Sequence, residues 1–275
     1  MRTFSLKRVK GAGALDSRAG IRLSSLSEVW ARFGGMCGRF AVDKGTNELI
    51  EEFIAQGGDV HEWRASYSIA PTDVVPIVRE RRNSDSGEIT RSLDSAVWDF
   101  HPAFIKESKR PNFNARLETV ATNGMWKGAF ASSHCIVPML GYYEWADLEE
   151  NGKKVKQPHF IHGDNGTLAA AGIYTARKVN DEWVVSTAII TREARDASGQ
   201  VHDRMPVFLT PDVYDEWLNP VKLTSDADKE HTLSMLEHVS GQVASTITTY
   251  EVDRRVNNSR TVDPADPSLI AKIES

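Results

Sequence analysis

Hydrophobic positions along the chain fall into short runs separated by turn-forming and charged residues, a pattern typical of a protein built mainly from strands. The proline inside the run 74–78 predicts an edge strand or a bulge. The charged run 79–88 is predicted to be a turn between strands. The predicted strands are 37–42, 74–78, 135–140, 141–145, 159–162, 168–174, 183–191, 206–210 and 245–252.

Three segments have the spacing of helices. The first is predicted to run from a cap at Thr46 to about Gln56, with apolar residues on one face. The second begins at Pro211 and ends before Asn219-Pro220, and the third covers 226–240. Many short strands with few helices predict an α+β fold, a single domain with a mostly antiparallel, barrel-like β-sheet core and a few flanking helices.

Composition narrows the class of protein. Apolar residues make up 40% and charged residues 26% of the 275 residues, as in ordinary globular proteins, and no apolar run is long enough to span a membrane. Two cysteines cannot form a disulfide framework, so a cytoplasmic location is expected, nucleoid-associated if the source is bacterial. No metal-ligand spacing or cofactor motif occurs, so neither group is expected. Nothing marks an oligomer interface, so we expect a monomer.

The net charge of −5 does not advertise a nucleic-acid-binding protein, so a polyanion site would have to be a local basic patch. Residues 1–35 are basic and rich in Ser, Gly and Ala. A transit peptide, a disordered tail and a misassigned start all fit this segment. The misassigned start is favoured because "MCGRF" at 36–40 reads like the beginning of a protein, which makes 36–275 the domain.

Cys37 is the first candidate for chemistry. If Met36 is the initiator and is removed, Cys37 carries a free α-amine of pKa ~8 beside a thiol of pKa ~8.5. Such an aminothiol condenses with an aldehyde, first to a Schiff base and then to a five-membered thiazolidine. Cys135 lies in an apolar run and is interpreted as an inert core residue.

Three further stretches display polar groups near strand ends. Asn114 and Arg116 lie on one side of an extended segment and could orient an amine and hold a phosphate; a surface hairpin with a salt bridge from Glu118 is the alternative. Glu144 stands among aromatic residues that would raise its pKa toward that of a general acid, unless the position faces outward. His202 could shuttle a proton or contact a phosphate, or serve only structure.

Together these stretches resemble the SOS response-associated peptidase (SRAP) family, and the resemblance runs from Met36 to about Ile270. The motifs that carry it are MCGRF (36–40), YSIAPT (67–72), NARLET (114–119), GYYEW (141–145), QPHFI (157–161), AAGIY (170–174), AIITREA (188–194), VHDRMPV (201–207) and YEVDRRVNN (250–258).

The resemblance implies a protein that binds single-stranded DNA containing abasic sites and forms a thiazolidine cross-link with the ring-opened sugar aldehyde, with lyase activity as an associated possibility. It implies that Cys37 is the nucleophile and that Asn114 positions its amine. Glu144 would act as acid and base, and His202 would assist at the sugar and its phosphate. The implied DNA-binding residues are Arg39, Arg116, Arg204, Trp98, Phe104 and Ile105, the last two as a hydrophobic wedge.

Two positions depart from the family pattern. Ser68 stands where Asn is usual, and Asp99 stands where Gly is common. Loss of one contact and an added negative charge near the DNA path predict weaker DNA binding with the same reaction.

Two other functions compete with this interpretation. A cysteine peptidase or amidohydrolase with an N-terminal nucleophile would also need the freed amine of Cys37. A non-covalent reader of single-stranded or modified DNA would use only the arginines and the apolar pair. Neither explains why a cysteine should directly follow a methionine.

Overall fold

The fold is described from a computed structural model for residues 37–53, 55, 63–105, 110–164 and 166–274. The predicted extension 1–35 and the end of the first predicted helix at Gln56 lie outside these residues. The strands are β1 (Phe40–Val42), β2 (Ser66–Ile69), β3 (Val74–Arg82), β4 (Ile89–Val97), β5 (Asn114–Arg116), β6 (His134–Met139), β7 (Gly141–Glu150), β8 (Lys153–Gly163), β9 (Leu168–Val179), β10 (Glu182–Glu193), β11 (Arg204–Pro206), β12 (Phe208–Leu209) and β13 (Ile247–Glu251).

Short helices connect the strands, and one long helix lies near the end of the chain. They are α1 (Thr46–Glu52), α2 (Leu117–Val120), α3 (Lys127–Phe130), α4 (Asp196–Gly199), α5 (Tyr214–Leu218) and α6 (Asp226–Ala244), with 3₁₀ turns at Pro211–Val213, Arg254–Asn257 and Pro267–Ile270. No helix among the described residues is both long and apolar enough to cross a membrane.

Five strands close into a barrel. Antiparallel pairings join β4 to β3, β3 to β6, β6 to β9 and β9 to β10, and a parallel pairing of β10 with β4 completes the ring. Closure leaves these strands without free edges. β5 and β11 both add to β10, and β12 adds to β9. The predicted α+β fold with a mostly antiparallel, barrel-like core is therefore confirmed.

A second sheet lies in the order β13-β8-β7-β1-β2. Its longest pairing is the β7–β8 hairpin, which extends from Gly141↔His162 to Glu150↔Lys153. Gly141 is required at the start of β7, because a Cβ there would stand 2.5 Å from the carbonyl oxygen of Ile161. The close approach of β7 and β8 therefore depends on this glycine.

Several predicted boundaries are wrong. Residues 79–82 continue β3 rather than forming a turn, and the strand containing Pro76 is interior, since it pairs with β4 along its length and with β6 at Val78↔Ile136. Proline is tolerated because the β6 pairing is formed at Val78, two residues beyond the missing N–H. Gly45, not Thr46, is the N-cap of α1, and its N–H donates to Glu48 at 2.8 Å.

The two sheets meet where Cys37 precedes β1. Cys37 and Glu144 belong to the β13-β8-β7-β1-β2 sheet or its leading segment, whereas Asn114 and Arg204 belong to β5 and β11 on the barrel strand β10. Since β5 and β11 flank the same strand, the groups predicted from distant parts of the sequence converge at one junction.

Candidate active site

Cys37 is buried at the junction, with 2% of its surface exposed. Its Sγ lies 3.7 Å from the carbonyl oxygen of Arg204 and can donate to it. Burial raises the pKa of the thiol well above its ordinary value, and the nearby Glu144 carboxylate raises it further. The thiol therefore stays protonated at neutral pH and needs a base to become a nucleophile.

Glu144 faces inward from β7 and is only 1% exposed. Burial raises its pKa to about 8, although hydrogen bonding with the thiol and backbone of Cys37 opposes the rise. The alternative of an outward-facing position is therefore excluded. A carboxyl group that titrates near neutral pH can give a proton at one step and accept one at the next.

Asn114 holds the backbone of the nucleophile. Its Nδ2 donates to the carbonyl oxygen of Cys37 at 3.1 Å, while its Oδ1 is buried without a hydrogen-bond partner. β5 is fixed against β10 by the pairing Asn114↔Ile189. The amide therefore places one acceptor beside Cys37 that the surrounding protein leaves open.

His202 lies just before β11 and is half-buried, and burial lowers the pKa of its imidazole. Its Nδ1 accepts the backbone N–H of Arg204 at 3.0 Å, and the Asp203 carboxylate lies at 3.0 Å from the same nitrogen. The N–H of Arg204 needs an unprotonated Nδ1, whereas a hydrogen bond to the Asp203 carboxylate needs a protonated one. The backbone donor is fixed whereas Asp203 is largely exposed, so the ring is a neutral imidazole with its proton on Nε2.

The three predicted phosphate-binding arginines differ in availability. Arg39 is buried, and its guanidinium donates to the Val256 carbonyl at 2.9 Å and to Ser68 at 3.3 Å. Arg204 is held by Glu118 through two hydrogen bonds of 2.7 and 3.0 Å. Arg116 is exposed on β5. Arg116 is thus the arginine best placed to meet a ligand from solvent.

The predicted apolar DNA-binding residues are also divided. Trp98 is 1% exposed, its indole N–H donates to the Phe113 carbonyl at 2.9 Å, and its ring packs edge-on against Phe40. A ring without accessible surface offers no face on which a base could stack, so this placement gives the DNA-binding prediction for Trp98 no support. Phe104 is 66% exposed, and Ile105 beside it is half-buried.

The two departures from the family pattern have structural partners. Ser68 is buried and accepts from Arg39. The Asp99 carboxylate accepts the backbone N–H of Asn112 at 2.7 Å, two residues before Asn114. Asp99 therefore fixes the segment that leads into β5.

Sequence reasoning missed two residues that line the site. Tyr142 is buried on β7 two residues before Glu144, and its hydroxyl forms a 2.7 Å hydrogen bond with Ser198 of α4. Burial raises the pKa of the Tyr142 hydroxyl, and the neighbouring Cys37 adds to the rise. The alternation Tyr142–Glu144 on one strand face is the only sequence signal that could have indicated Tyr142. Ser198 has none.

A metal site and the second cysteine are the remaining candidates for chemistry. Over the described ranges, no group of three or more His, Cys, Asp or Glu side chains is arranged to hold a metal ion. Cys135 is fully buried with its pKa raised by burial to about 12, in agreement with its interpretation as a core residue.

Comparison with known proteins places this arrangement in context. The family model for SOS response associated peptidase (SRAP) matches residues 36–259. The abasic site processing protein YoaM of Bacillus subtilis is 32% identical over 197 residues, 70% of this chain and 82% of that protein. The abasic site processing protein YedK of Escherichia coli is 32% identical over 188 residues, 66% of this chain and 79% of that protein.

A vertebrate relative and a solved structure extend the comparison. The abasic site processing protein HMCES of Xenopus tropicalis is 25% identical over 239 residues, 75% of this chain and 67% of that protein. A crystal structure of a protein from Bacteroides thetaiotaomicron superimposes with a TM-score of 0.66 at 20% identity, covering 86% of this chain and all of that one. At this identity the likeness shows the fold alone.

Proposed function

Because the chain belongs to the SOS response-associated peptidase (SRAP) family, we propose that it processes abasic sites in single-stranded DNA by cross-linking Cys37 to the ring-opened sugar. The names of the relatives support the substrate class. The buried contact between Glu144 and Cys37 carries the proposal for the chemistry. It brings a proton carrier of suitable pKa to an aminothiol.

The reaction balances with the loss of one water. The free α-amine of Cys37 attacks C1′ of the aldehyde, and the resulting carbinolamine loses its hydroxyl as water to give an iminium ion. The thiol sulfur then adds to the same carbon, and the thiol proton leaves. The product is a thiazolidine in which C1′ is bonded to both nitrogen and sulfur.

Glu144 acts in these reaction steps first as an acid and then as a base. With its pKa near 8, the carboxyl group is protonated in much of the population at neutral pH and can protonate the departing hydroxyl. The carboxylate left behind accepts the thiol proton as sulfur adds, which overcomes the raised pKa of Cys37. One group thus assists both bond-forming stages.

Asn114 and His202 hold the reactants. Asn114 fixes the carbonyl of Cys37 and so limits rotation of the amine on the same residue. His202, with its proton on Nε2, can donate to a sugar or phosphate oxygen.

DNA binding is proposed to depend on a small exposed set. Arg116 contacts a backbone phosphate, and Phe104 with Ile105 packs against a base beside the lesion. Arg39 and Arg204 contribute positive potential from behind the surface while their guanidinium groups bind protein acceptors. Because the Asp99 carboxylate is engaged in a hydrogen bond within the protein, we expect its negative charge to weaken DNA binding only slightly.

The proposed chemistry requires a free amine on Cys37. We propose that translation from Met36 followed by removal of that methionine supplies it. The family match starting at residue 36 supports this position. With residues 1–36 attached, the nitrogen is an amide and cannot form the iminium ion.

A denaturing gel tests the function directly. Protein beginning at Cys37, confirmed by intact mass, is incubated with single-stranded DNA that carries one abasic site. A shifted covalent band is expected for the wild type and not for Cys37→Ala or for protein that retains residues 1–36. Shortened DNA without a covalent band would indicate a lyase instead. Hydrolysis of a peptide substrate with neither DNA product would overturn the proposal in favour of a peptidase.

A further inference from the structure

We infer that Glu118 is a positioning residue for the reaction, acting through Arg204 on the backbone that contacts both Cys37 and His202. The inference rests on the proposed function where the cross-linking rate is used to test it. The role of direct phosphate ligand that the family resemblance implies for Arg204 stays a separate prediction.

The backbone of Arg204 is a shared point of the site. Its N–H donates to Nδ1 of His202 at 3.0 Å, and its carbonyl oxygen accepts from Sγ of Cys37 at 3.7 Å. A displacement of this one residue therefore changes the surroundings of the nucleophile and the tautomer of the imidazole together.

Two kinds of contact hold that backbone in place, the β10–β11 pairing Glu193↔Arg204 and the hydrogen bonds of the Arg204 side chain. One guanidinium nitrogen donates to Oε1 of Glu118 at 2.7 Å and the other to Oε2 at 3.0 Å, a bidentate pair. The second nitrogen also donates to the Thr191 carbonyl at 2.7 Å. The Arg204 side chain is 11% exposed and the Glu118 side chain 50% exposed, so the arginine end of the pair is buried and the carboxylate end reaches the surface.

Glu118 joins three elements through this contact. It lies in α2, directly after β5, which carries Asn114. Thr191 of β10 pairs with Arg116 of β5 on one side and with Pro206 of β11 on the other. The Glu118–Arg204 pair therefore spans from the Asn114 strand to the His202–Arg204 segment across β10.

The electrostatics keep Glu118 anionic. Burial alone would raise its pKa, but hydrogen bonding to Arg204 and the charge of the exposed Arg116 hold the pKa below its ordinary value. The two terminal nitrogens of Arg204 are engaged by Glu118 and Thr191, its Nε has no protein partner, and Arg116 stands exposed on the neighbouring strand. The contact with Glu118 thus gives Arg204 a part in holding the site that the exposed Arg116 does not have.

A competing role for Glu118 makes the opposite prediction. If Glu118 merely masks Arg204 from DNA, its neutralisation would tighten binding of intact single-stranded DNA and leave the cross-linking rate unchanged or raised. If Glu118 positions the site, neutralisation slows cross-linking while affinity for intact DNA hardly changes.

The experiment compares Glu118→Gln and Glu118→Asp with a matched control, Glu150→Gln. Glu150 also forms a bidentate pair with an arginine, Arg254, at the far end of β7 about 20 Å of strand from Glu144. Single-turnover cross-linking at saturating protein is measured beside the Kd for the same DNA without an abasic site. We expect Glu118→Gln to cross-link about tenfold more slowly with Kd within twofold of wild type, and the control to match wild type. Glu118→Asp keeps the charge but withdraws the carboxylate, so an intermediate rate is expected.

An NMR measurement separates this inference from the proposed function. The ¹⁵N signals of the His202 ring report which nitrogen holds the proton, and they need no DNA. We expect one tautomer in the wild type and a mixture in Glu118→Gln. A wild type without cross-linking would sink the proposed function, yet the imidazole signals would still decide whether Glu118 orders His202. Unchanged signals and unchanged rates in both folded Glu118 variants would overturn the inference, as would tighter DNA binding at an unchanged rate.

Discussion

Two buried polar clusters in this protein differ in how completely their polar atoms are hydrogen-bonded. In the barrel, Arg79 of β3 donates to Asp94 of β4 at 2.8 Å, Ser92 donates to the same carboxylate at 2.7 Å, and the guanidinium lies 4.7 Å from the centre of the Tyr174 ring. At the sheet junction, the Asn114 Oδ1, the Glu144 Oε1 and the Arg204 Nε are buried without a protein partner.

The difference separates buried polar groups that stabilise the fold from buried polar groups that are available for chemistry. A buried polar group that lacks a partner destabilises the folded protein, so proteins keep few of them. The barrel cluster meets this requirement because Arg79 and Asp94 are each other's counter-charge. The junction leaves acceptors and a donor open beside the nucleophile, which suits a site completed by its substrate.

The largest expected effect is a loss of stability on substitution of Asp94 in the barrel. Asp94→Ala leaves the Arg79 guanidinium buried without its main counter-charge, and should lower the free energy of unfolding by about 3–5 kcal/mol. Urea titration followed by tryptophan fluorescence measures the loss. The cross-linking rate per folded molecule should match wild type. A loss below about 1 kcal/mol would mean that water satisfies the Arg79 guanidinium once the carboxylate is gone.

The next effect concerns Glu144 and depends on pH. Its folded-state pKa of about 8 lies above the ordinary value of 4.5, so the native state holds the proton more tightly than the unfolded chain. The stability that this proton contributes is complete below about pH 4.5 and is lost as pH rises toward 8, at up to about 1.4 kcal/mol per pH unit.

Glu144→Gln removes this titration, so its stability advantage over wild type should grow between pH 5 and 8 and then level off. Thermal unfolding across that range checks it, with Glu150→Gln as the control because Glu150 is exposed. Parallel curves for wild type and Glu144→Gln would contradict the raised pKa. The same variant should fail to cross-link, since amide groups carry no transferable proton at these pH values.

Asn114→Ala should affect the reaction more than the fold. The change removes one hydrogen bond to the Cys37 carbonyl and also a buried acceptor without a partner, so stability should change by about 1 kcal/mol or less. Loss of orientation at the amine should slow cross-linking by about ten- to a hundredfold. Stopped time courses on denaturing gels give the rate. A destabilisation as large as that of Asp94→Ala would show that the junction is structural after all.

The smallest effect is expected at the surface. Arg116→Gln should weaken binding of single-stranded DNA severalfold and reduce the slope of log Kd against log salt concentration by about 0.7, the loss of one phosphate contact. Fluorescence anisotropy at four salt concentrations measures it. An unchanged slope would assign the phosphate contact to another cation.

Much of the fold was predictable because strand patterns are local. The β7 and β10 segments were found from their apolar runs, although both are longer than predicted because their charged ends pair in hairpins. Residues 79–82 form the end of β3 and not the predicted turn, because a run of Arg and Glu carries no apolar alternation even though its partner, residues 89–92, lies in the next strand of the same hairpin.

The site was predictable as a set of residues but not as a set of roles. Motif order placed Cys37, Asn114 and Glu144 together, and the structure brings them to one junction. Whether an arginine is free depends on partners far away in sequence, such as Val256 for Arg39 and Glu118 for Arg204. The burial of Trp98 has the same origin.

The short segment between Cys37 and β1 has a mechanical consequence. β1 is paired with β2 on one side and β7 on the other, and Cys37 precedes it by three residues. Three residues span at most about 11 Å, so a cross-linked strand of DNA would be tethered almost directly to an interior strand of a sheet. A motor pulling on that DNA would load β1 along its own axis and shear two rows of hydrogen bonds at once, instead of peeling them apart one by one.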